Sequence, residues 1–301
     1  MSMKTRLFLL VSLLTCLSGN AQDRIGIAFI PITYDEASVS SSDAKMIQES
    51  VINSFVTAKK FTVVDREKLE ALENEKKLQR TESFIDSEQS IQDGISKGAS
   101  YLIATNILGL RHSEVKRGWE SMVQLQIKVI DVSTGEIIAT ENVTSEYVEP
   151  SKMVSDAREK FESKEDKKVR EDRLKQLKEV KSHKEDAFGV ALKRLDTNMK
   201  DFSNANFPVT LDIVNWDAKN KNQFLLAAGS GIGLFPGQLL DVVLVTETNI
   251  GDRTVTRNQK IATACIVKVE DSNFSEAEII SAEKIFKKVR SSNDTLKILT
   301  R

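Results

Sequence analysis

The stretch most like a chemical motif is GSGIGLFPG, residues 229–237, with four glycines in nine positions and a closing Pro236-Gly237. A phosphate-binding glycine loop needs a strand before it and a helix N-terminus after it, so that free backbone N–H groups face the anion. FLLAAG precedes this loop, but QLLDVVLVTE follows it, and that β-branched, aliphatic run reads as a strand. The Lys and hydroxyl residue that a Walker-type loop carries after its last glycine are absent. The loop therefore reads as a connection between two strands. Its glycines supply positive φ, and Pro236-Gly237 makes a tight turn.

Other chemical candidates are few. His112 and His183 are the only histidines. One falls in a charged stretch read as a loop and the other in a charged helix. Neither has a second imidazole or thiol beside it for a metal site. Neither follows a strand next to an apolar pocket, as a catalytic triad would need. Glu67, Glu70, Glu73 and Glu75 fall on a helix surface and read as a solvated face. Cys265 lies in KIATACIVKVE, where Ile261, Thr263, Cys265, Val267 and Val269 are expected to share one strand face, which makes it a small buried thiol. No catalytic, cofactor-binding or metal-ligating residue is assigned. A non-enzymatic protein without a cofactor is expected.

The N-terminus reads as an export signal. MSMKTRLFLLVSLLTCLSGNAQ has a basic start, an apolar run from Leu7 to Leu17, and small residues at Gly19 and Ala21, which place cleavage after Ala21. The apolar run is too short for a membrane anchor. A second reading makes LLTC a lipobox with Cys16 acylated and retained, although Thr15 is a poor residue before such a cysteine. Either way the protein is expected in the periplasm, with peripheral association to the outer membrane. With cleavage after Ala21, Cys265 is the one cysteine left, so no internal disulfide forms. The net charge of −1 and the 6% aromatic content offer neither a global field nor a stacking surface for nucleic acid.

The elements divide the chain into an α+β architecture. Residues 1–21 are the signal peptide. Residues 22–150 form an α/β domain with a mixed sheet. RIGIAFIPIT, KFTVVD and SYLIATNILGL read as strands, and Ser41 to Ala58 as a helix with Ala44, Ile47, Val51, Ile52 and Phe55 on its buried face. Asp65 is expected to cap a further helix buried through Leu69 and Leu72, and DSEQSIQDGISKGA to form another. SMVQLQIKVIDV and GEIIATENVTSE read as a hairpin around STGE. Residues 151–204 are a charged helical arm, with opposite charges four apart at Asp156/Lys160, Lys167/Glu171 and Glu171/Lys175. It is expected to project, its far end docking back through Phe188, Leu192, Leu195, Met199 and Phe202. Residues 205–301 carry seven short strand-like runs and read as a small all-β barrel or sandwich.

The blocks KFTVVDREKLEALENEKKLQ, GASYLIATNILGL and VQLQIKVIDVSTGEIIATENV, over roughly residues 24–147, resemble the curli production assembly/transport component family, CsgG. GQLLDVVLV and VKVED more weakly resemble the C-terminal domain of a flagellar assembly protein. The resemblance implies a periplasmic α/β domain, ring-type self-assembly, and a role in secretion or curli assembly at the outer membrane of a Gram-negative cell. A channel of that family inserts two β-hairpins per subunit, each strand about 9–11 residues long. Here the first place for one, RHSEVKRGWESM, is short and charged, and the charged helix follows ENVTSE. YDEASVSSSD offers Tyr34 but no Asn for a constriction loop. The leading expectation is thus an accessory or scaffold protein that binds envelope or secretion proteins. The alternatives are an outer-membrane secretion channel subunit and a lipoprotein activator of a cell-wall synthase, the latter requiring acylated Cys16.

Overall fold

The computed structural model describes residues 24–64, 99–149, 152–250, 253–290 and 296–300. The leader with Cys16, the helix expected from Asp65, its glutamates, and the one in DSEQSIQDGISKGA lie outside the described residues.

The N-terminal part is built on a mixed five-stranded sheet, ordered β2-β1-β3-β4-β5. β1 (Ile25–Phe29) runs parallel to β2 (Phe61–Val64) and to β3 (Tyr101–Val115). β4 (Gly118–Asp131) and β5 (Ile137–Thr144) continue it antiparallel. The first connection, α1 (Ser41–Thr57), starts where Ser40 Oγ accepts the Asp43 N–H at 3.1 Å and donates to Asp43 Oδ2 at 2.7 Å. This reciprocal cap satisfies an N–H that the helix cannot use itself. Of the expected stripe, Ala44, Ile47, Val51 and Phe55 are buried and Ile52 is half-buried. It packs with Ile27, Ile103, Leu125 and Ile127 in one core.

The stretch read as a charged loop, RHSEVKRGWESM, is instead the far end of a continuous hairpin. Val115 pairs with Gly118 across a two-residue turn, and His112 pairs with Ser121. Its tip is held by tertiary contacts that local pattern does not show. The Trp119 N–H donates to the Lys181 carbonyl at 2.7 Å, and the Lys181 N–H returns to Trp119 at 3.4 Å.

The charged stretch is helical in three pieces rather than one projecting rod. These are α2 (Lys152–Phe161), α3 (Lys164–Lys178) and α4 (Lys184–Asn206). The first break comes at Ser163, which is extended at ψ 162° and caps α3 through the Asp166 N–H at 3.1 Å. Apolar anchors at both ends fold the chain back. Ala157, with Val154 and Phe161, packs on Leu239, Cys265 and Ile280 of the second sheet. Phe188, Ala191, Leu195, Met199 and Phe202 of α4 enter the first core. The charges follow this tertiary arrangement. Lys160 pairs with Glu278 of the second sheet at 2.7 Å, and Lys167 with Glu159 on α2 at 3.2 Å.

The C-terminal part is an antiparallel seven-stranded sheet, ordered β6-β12-β9-β10-β11-β8-β7. Its strands are β6 (Thr210–Leu211), β7 (Ile213–Trp216), β8 (Gln223–Leu226), β9 (Leu239–Ile250), β10 (Arg253–Val269), β11 (Ser275–Ala282) and β12 (Leu296–Thr300). The edge strands β6 and β7 are consecutive in the chain, so the sheet curls into a nearly closed barrel. Leu226, Leu240, Val242, Ile261 and Ile298 fill it, and Phe286 and Val289 of α5 (Lys284–Arg290) cover one end. RTVTRNQ and IATACIVKVE are one continuous strand. A register shift between Lys260 and Ala262 breaks its alternation. Ile261 therefore faces the barrel core while Cys265, fully buried, faces α2. The single-face expectation failed because the extra residue at a bulge moves the side chains that follow it to the other side, and further shifts against β11 change the register again. No helix among the described residues is long and apolar enough to cross a membrane.

Gly118 marks the most constrained backbone of the hairpin. Its φ is +141°, and a Cβ there would lie 2.2 Å from the Lys181 carbonyl oxygen. Replacing Gly118 by Ala should destabilise the fold by about 2–4 kcal/mol, through strained φ and the lost bridge to Lys181. Urea unfolding measures this, and an unchanged midpoint would refute the pinned tip.

Candidate functional site: a cleft between the two sheets

The glycine loop forms part of the site in a way its composition did not indicate. Its N–H groups are consumed by carbonyls. Ser230 and Gly231 donate to Asp271 and Ser272 at 2.9 and 3.0 Å, and Gly237 donates to Ile266 at 2.8 Å. No fan of free donors is left here to hold a phosphate. The glycines are needed for close approach instead. A Cβ on Gly229 would lie 2.2 Å from the Asp271 oxygen, and one on Gly231 2.7 Å from that of Ser272. Gly233, at φ +80°, rests on the last turn of α1, where a Cβ would meet the Ala58 oxygen at 2.6 Å. The loop thus joins β8 to β9 and braces the second sheet against the first.

Beside this brace lies a cleft of about 480 Å³. Thr57, Ala58 and Lys60 line one side, α3 and α4 another, and residues 232–236 a third. Three apolar side chains stand open at it: Val169 is 69% exposed, Val148 65% and Phe235 43%. Leu174, Leu177 and Leu234 lie deeper. The charged groups are largely matched. Arg170 Nε donates to both oxygens of Glu162 at 3.1 and 2.9 Å. Asp196 accepts from Lys200 at 2.9 Å and from Arg173 at 3.5 Å. Arg194 Nε donates to the Leu177 carbonyl at 2.6 Å. Gln238 also lines the cleft; it is buried, and its Oε1 has no partner among the described residues. An apolar rim over matched charges suits the binding of another polypeptide.

The most unusual group is Lys60, which sequence reading passed over as an ordinary lysine at the start of a strand. It is 5% exposed. Its Nζ donates to the Ser203 carbonyl at 2.9 Å, to Asn204 Oδ1 at 2.9 Å and to the Phe207 carbonyl at 3.1 Å. Three donors meet three acceptors at the C-terminal end of α4, where the helix dipole favours a cation. Burial pushes its pKa down to about 8.

Neither histidine lines the cleft. His112 lies on β3, with Nδ1 2.8 Å from Ser121 Oγ and its ring 5.7 Å from that of Phe188. Burial, and then the charge of Lys184, lower its pKa. His183 is the exposed residue before α4 and makes no side-chain cap. Among the described residues no cluster of His, Cys, Asp and Glu is placed to hold a metal ion.

A family model described as peptidoglycan-synthase activator LpoB matches residues 38–145. None of the curated proteins matches the chain. Among solved structures, the LpoB C-terminal domain from Salmonella enterica is 19% identical, covering 45% of this chain and 91% of that one at a TM-score of 0.24. The hypothetical protein CT253 from Chlamydia trachomatis is 11% identical, covering 59% and 98% at 0.29. Lipoprotein GNA1162 from Neisseria meningitidis is 8% identical, covering 40% and 81% at 0.26. At such scores these likenesses carry no argument about function. The family match overturns the CsgG resemblance, and the curli and secretion roles go with it. The flagellar resemblance, outside the matched residues, is given up as well. The physical reason is visible in IKVIDVSTGEI. Asp131 Oδ1 accepts the N–H groups of Ser133 and Thr134 at 2.7 and 3.1 Å, and Gly135 sits at φ +74°. The block encodes the β4–β5 turn, and unrelated proteins can share that turn chemistry.

Lys60 supplies the test of the joint. Lys60→Met leaves three acceptors without a donor and should cost about 2 kcal/mol at pH 7. A lysine whose folded pKa is about 8 against 10.5 unfolded loses its proton first in the folded state. Between those values the unfolded chain holds the extra proton, so stability rises with pH. The wild type should therefore gain on Lys60→Met as pH climbs from about 8 to 10.5. Parallel unfolding curves over that window would show the ammonium is not desolvated.

Proposed function

We propose that the protein is an exported envelope protein that activates a peptidoglycan synthase by binding it, with no catalysis of its own. The observation that carries this reading is the LpoB model match over residues 38–145. That run takes in α1 and β2 to β5, and with Thr57, Ala58 and Lys60 it supplies one side of the cleft. The cleft is the candidate contact surface. Its exposed Val148, Val169 and Phe235 offer an apolar rim of anchors over matched charges, to which a partner can bind. The partner is an envelope synthase.

The purified mature chain, added to the host's own peptidoglycan synthase, should raise the rate of glycan-strand polymerisation. Phe235→Ala should weaken the complex about tenfold while the chain stays folded. A rate unchanged at saturating protein would sink the activator reading. An unchanged affinity for Phe235→Ala with activation intact would move the contact away from the cleft.

The activator reading goes with acylation of Cys16, which would keep the chain at the outer membrane. Mass spectrometry of the mature N-terminus separates the two leader readings. A diacylated or triacylated cysteine at the first position is expected, whereas a free Gln22 terminus would leave a soluble periplasmic protein.

A further inference from the structure

Charge is unevenly spread over the C-terminal barrel. The turn between β7 and β8 carries Lys219 and Lys221, and α5 carries Lys284, Lys287, Lys288 and Arg290. Against these six cations the same two segments hold only Asp217 and Glu283, whereas the whole chain has 43 basic and 44 acidic residues. The Asp217 carboxylate is turned to local use, accepting the backbone N–H groups of Lys219 and Asn220.

The two segments form one surface. The Arg290 guanidinium lies 4.8 Å from the Trp216 ring centroid, and Arg290 donates to the Lys221 carbonyl. The Trp216 and Phe286 rings are 5.9 Å apart. Phe286 and Val289 are buried in the barrel, which leaves Lys284, Ile285, Lys287 and Lys288 on the outer side of α5, all exposed. Ile285 is thus an exposed aliphatic side chain set among lysines.

We propose that this end of the barrel docks on an anionic membrane surface, with the lysines at the phosphate layer and Ile285 below it. Clustered lysines are drawn to anionic lipid, and the attraction falls off within a Debye length. A soluble polyanion would use the cations but has no apolar layer to receive Ile285, whereas the headgroup boundary accepts an aliphatic side chain under a ring of lysines. The surface is separate from the cleft. Docking through it would orient the chain without occupying the proposed synthase contact, and the proposal does not rest on that reading.

The test uses the mature chain without lipid and sedimentation with vesicles. Vesicles of equal parts phosphatidylcholine and phosphatidylglycerol should carry the protein down, and phosphatidylcholine vesicles should not. Binding should fall steeply as salt rises. The double variant Lys219→Gln, Lys284→Gln should lose about thirtyfold in affinity. Ile285→Ser should weaken binding while leaving the salt dependence unchanged. These residues are exposed, so thermal melting should match the wild type. Equal sedimentation with both vesicles, or no loss in the double variant, would overturn the proposal. So would a normal affinity of Ile285→Ser together with equally tight binding to soluble polyphosphate, which would make the surface a polyanion site instead.

Discussion

Lys60 sits where three parts of the chain meet, and its buried ammonium is the constraint on which their arrangement depends. A cation cannot be left in such a place without acceptors, because the cost of removing it from water is several kcal/mol. The acceptors come from the end of α4 and from Phe207, more than a hundred residues away in the chain. Phe207 is itself fixed by rings, at 5.2 Å from Phe61 and 5.4 Å from Tyr101. The chain therefore leaves the first core at one defined point and direction before it enters the barrel. On the other side of Lys60, Lys59 turns at φ +61° and the neighbouring Ala58 carbonyl receives Gly233. Breaking the ammonium's bonds would loosen the end of α4, the entry to the barrel and the wall of the cleft together.

The charged helices act through a few apolar anchors. The paired charges on α2 and α3 are mostly exposed, and such pairs contribute little stability each. What holds the helices is Ala157 and its neighbours on the barrel and the α4 stripe in the first core. The charges choose which surfaces face one another. Lys160 with Glu278 and Arg173 with Asp196 both tie one element to another across the fold. The cleft is left between these anchors, and its apolar side chains stay open because no element of the described chain covers them.

Two surfaces emerge with different chemistry. The cleft has matched charges and an open apolar rim, which suits shape-specific protein contact. The far end of the barrel carries clustered, exposed lysines, which suits a diffuse, salt-sensitive surface. A protein that must find one partner at a membrane can use both, the second reducing the search and the first supplying specificity.

The elements were legible where a pattern repeats locally. The α1 stripe, the Asp131-to-Glu136 turn and the alternation of β4 could be read directly, because helix and strand periods put apolar residues on one face. So could the strand-joining role of GSGIGLFPG, from the strand-like run that follows it. What only the tertiary structure decided involves residues far apart in sequence. Lys60 looked like any surface lysine, since nothing in KFTVVD indicates that the end of α4 will lie over it. The bulge that sends Cys265 to the opposite face from Ile261 depends on how β10 registers against β9. The break of the charged stretch into three helices depends on which surfaces its sparse apolar residues reach. The CsgG resemblance failed for a different reason, because strand-and-turn blocks report the local geometry of a sheet, which unrelated proteins share.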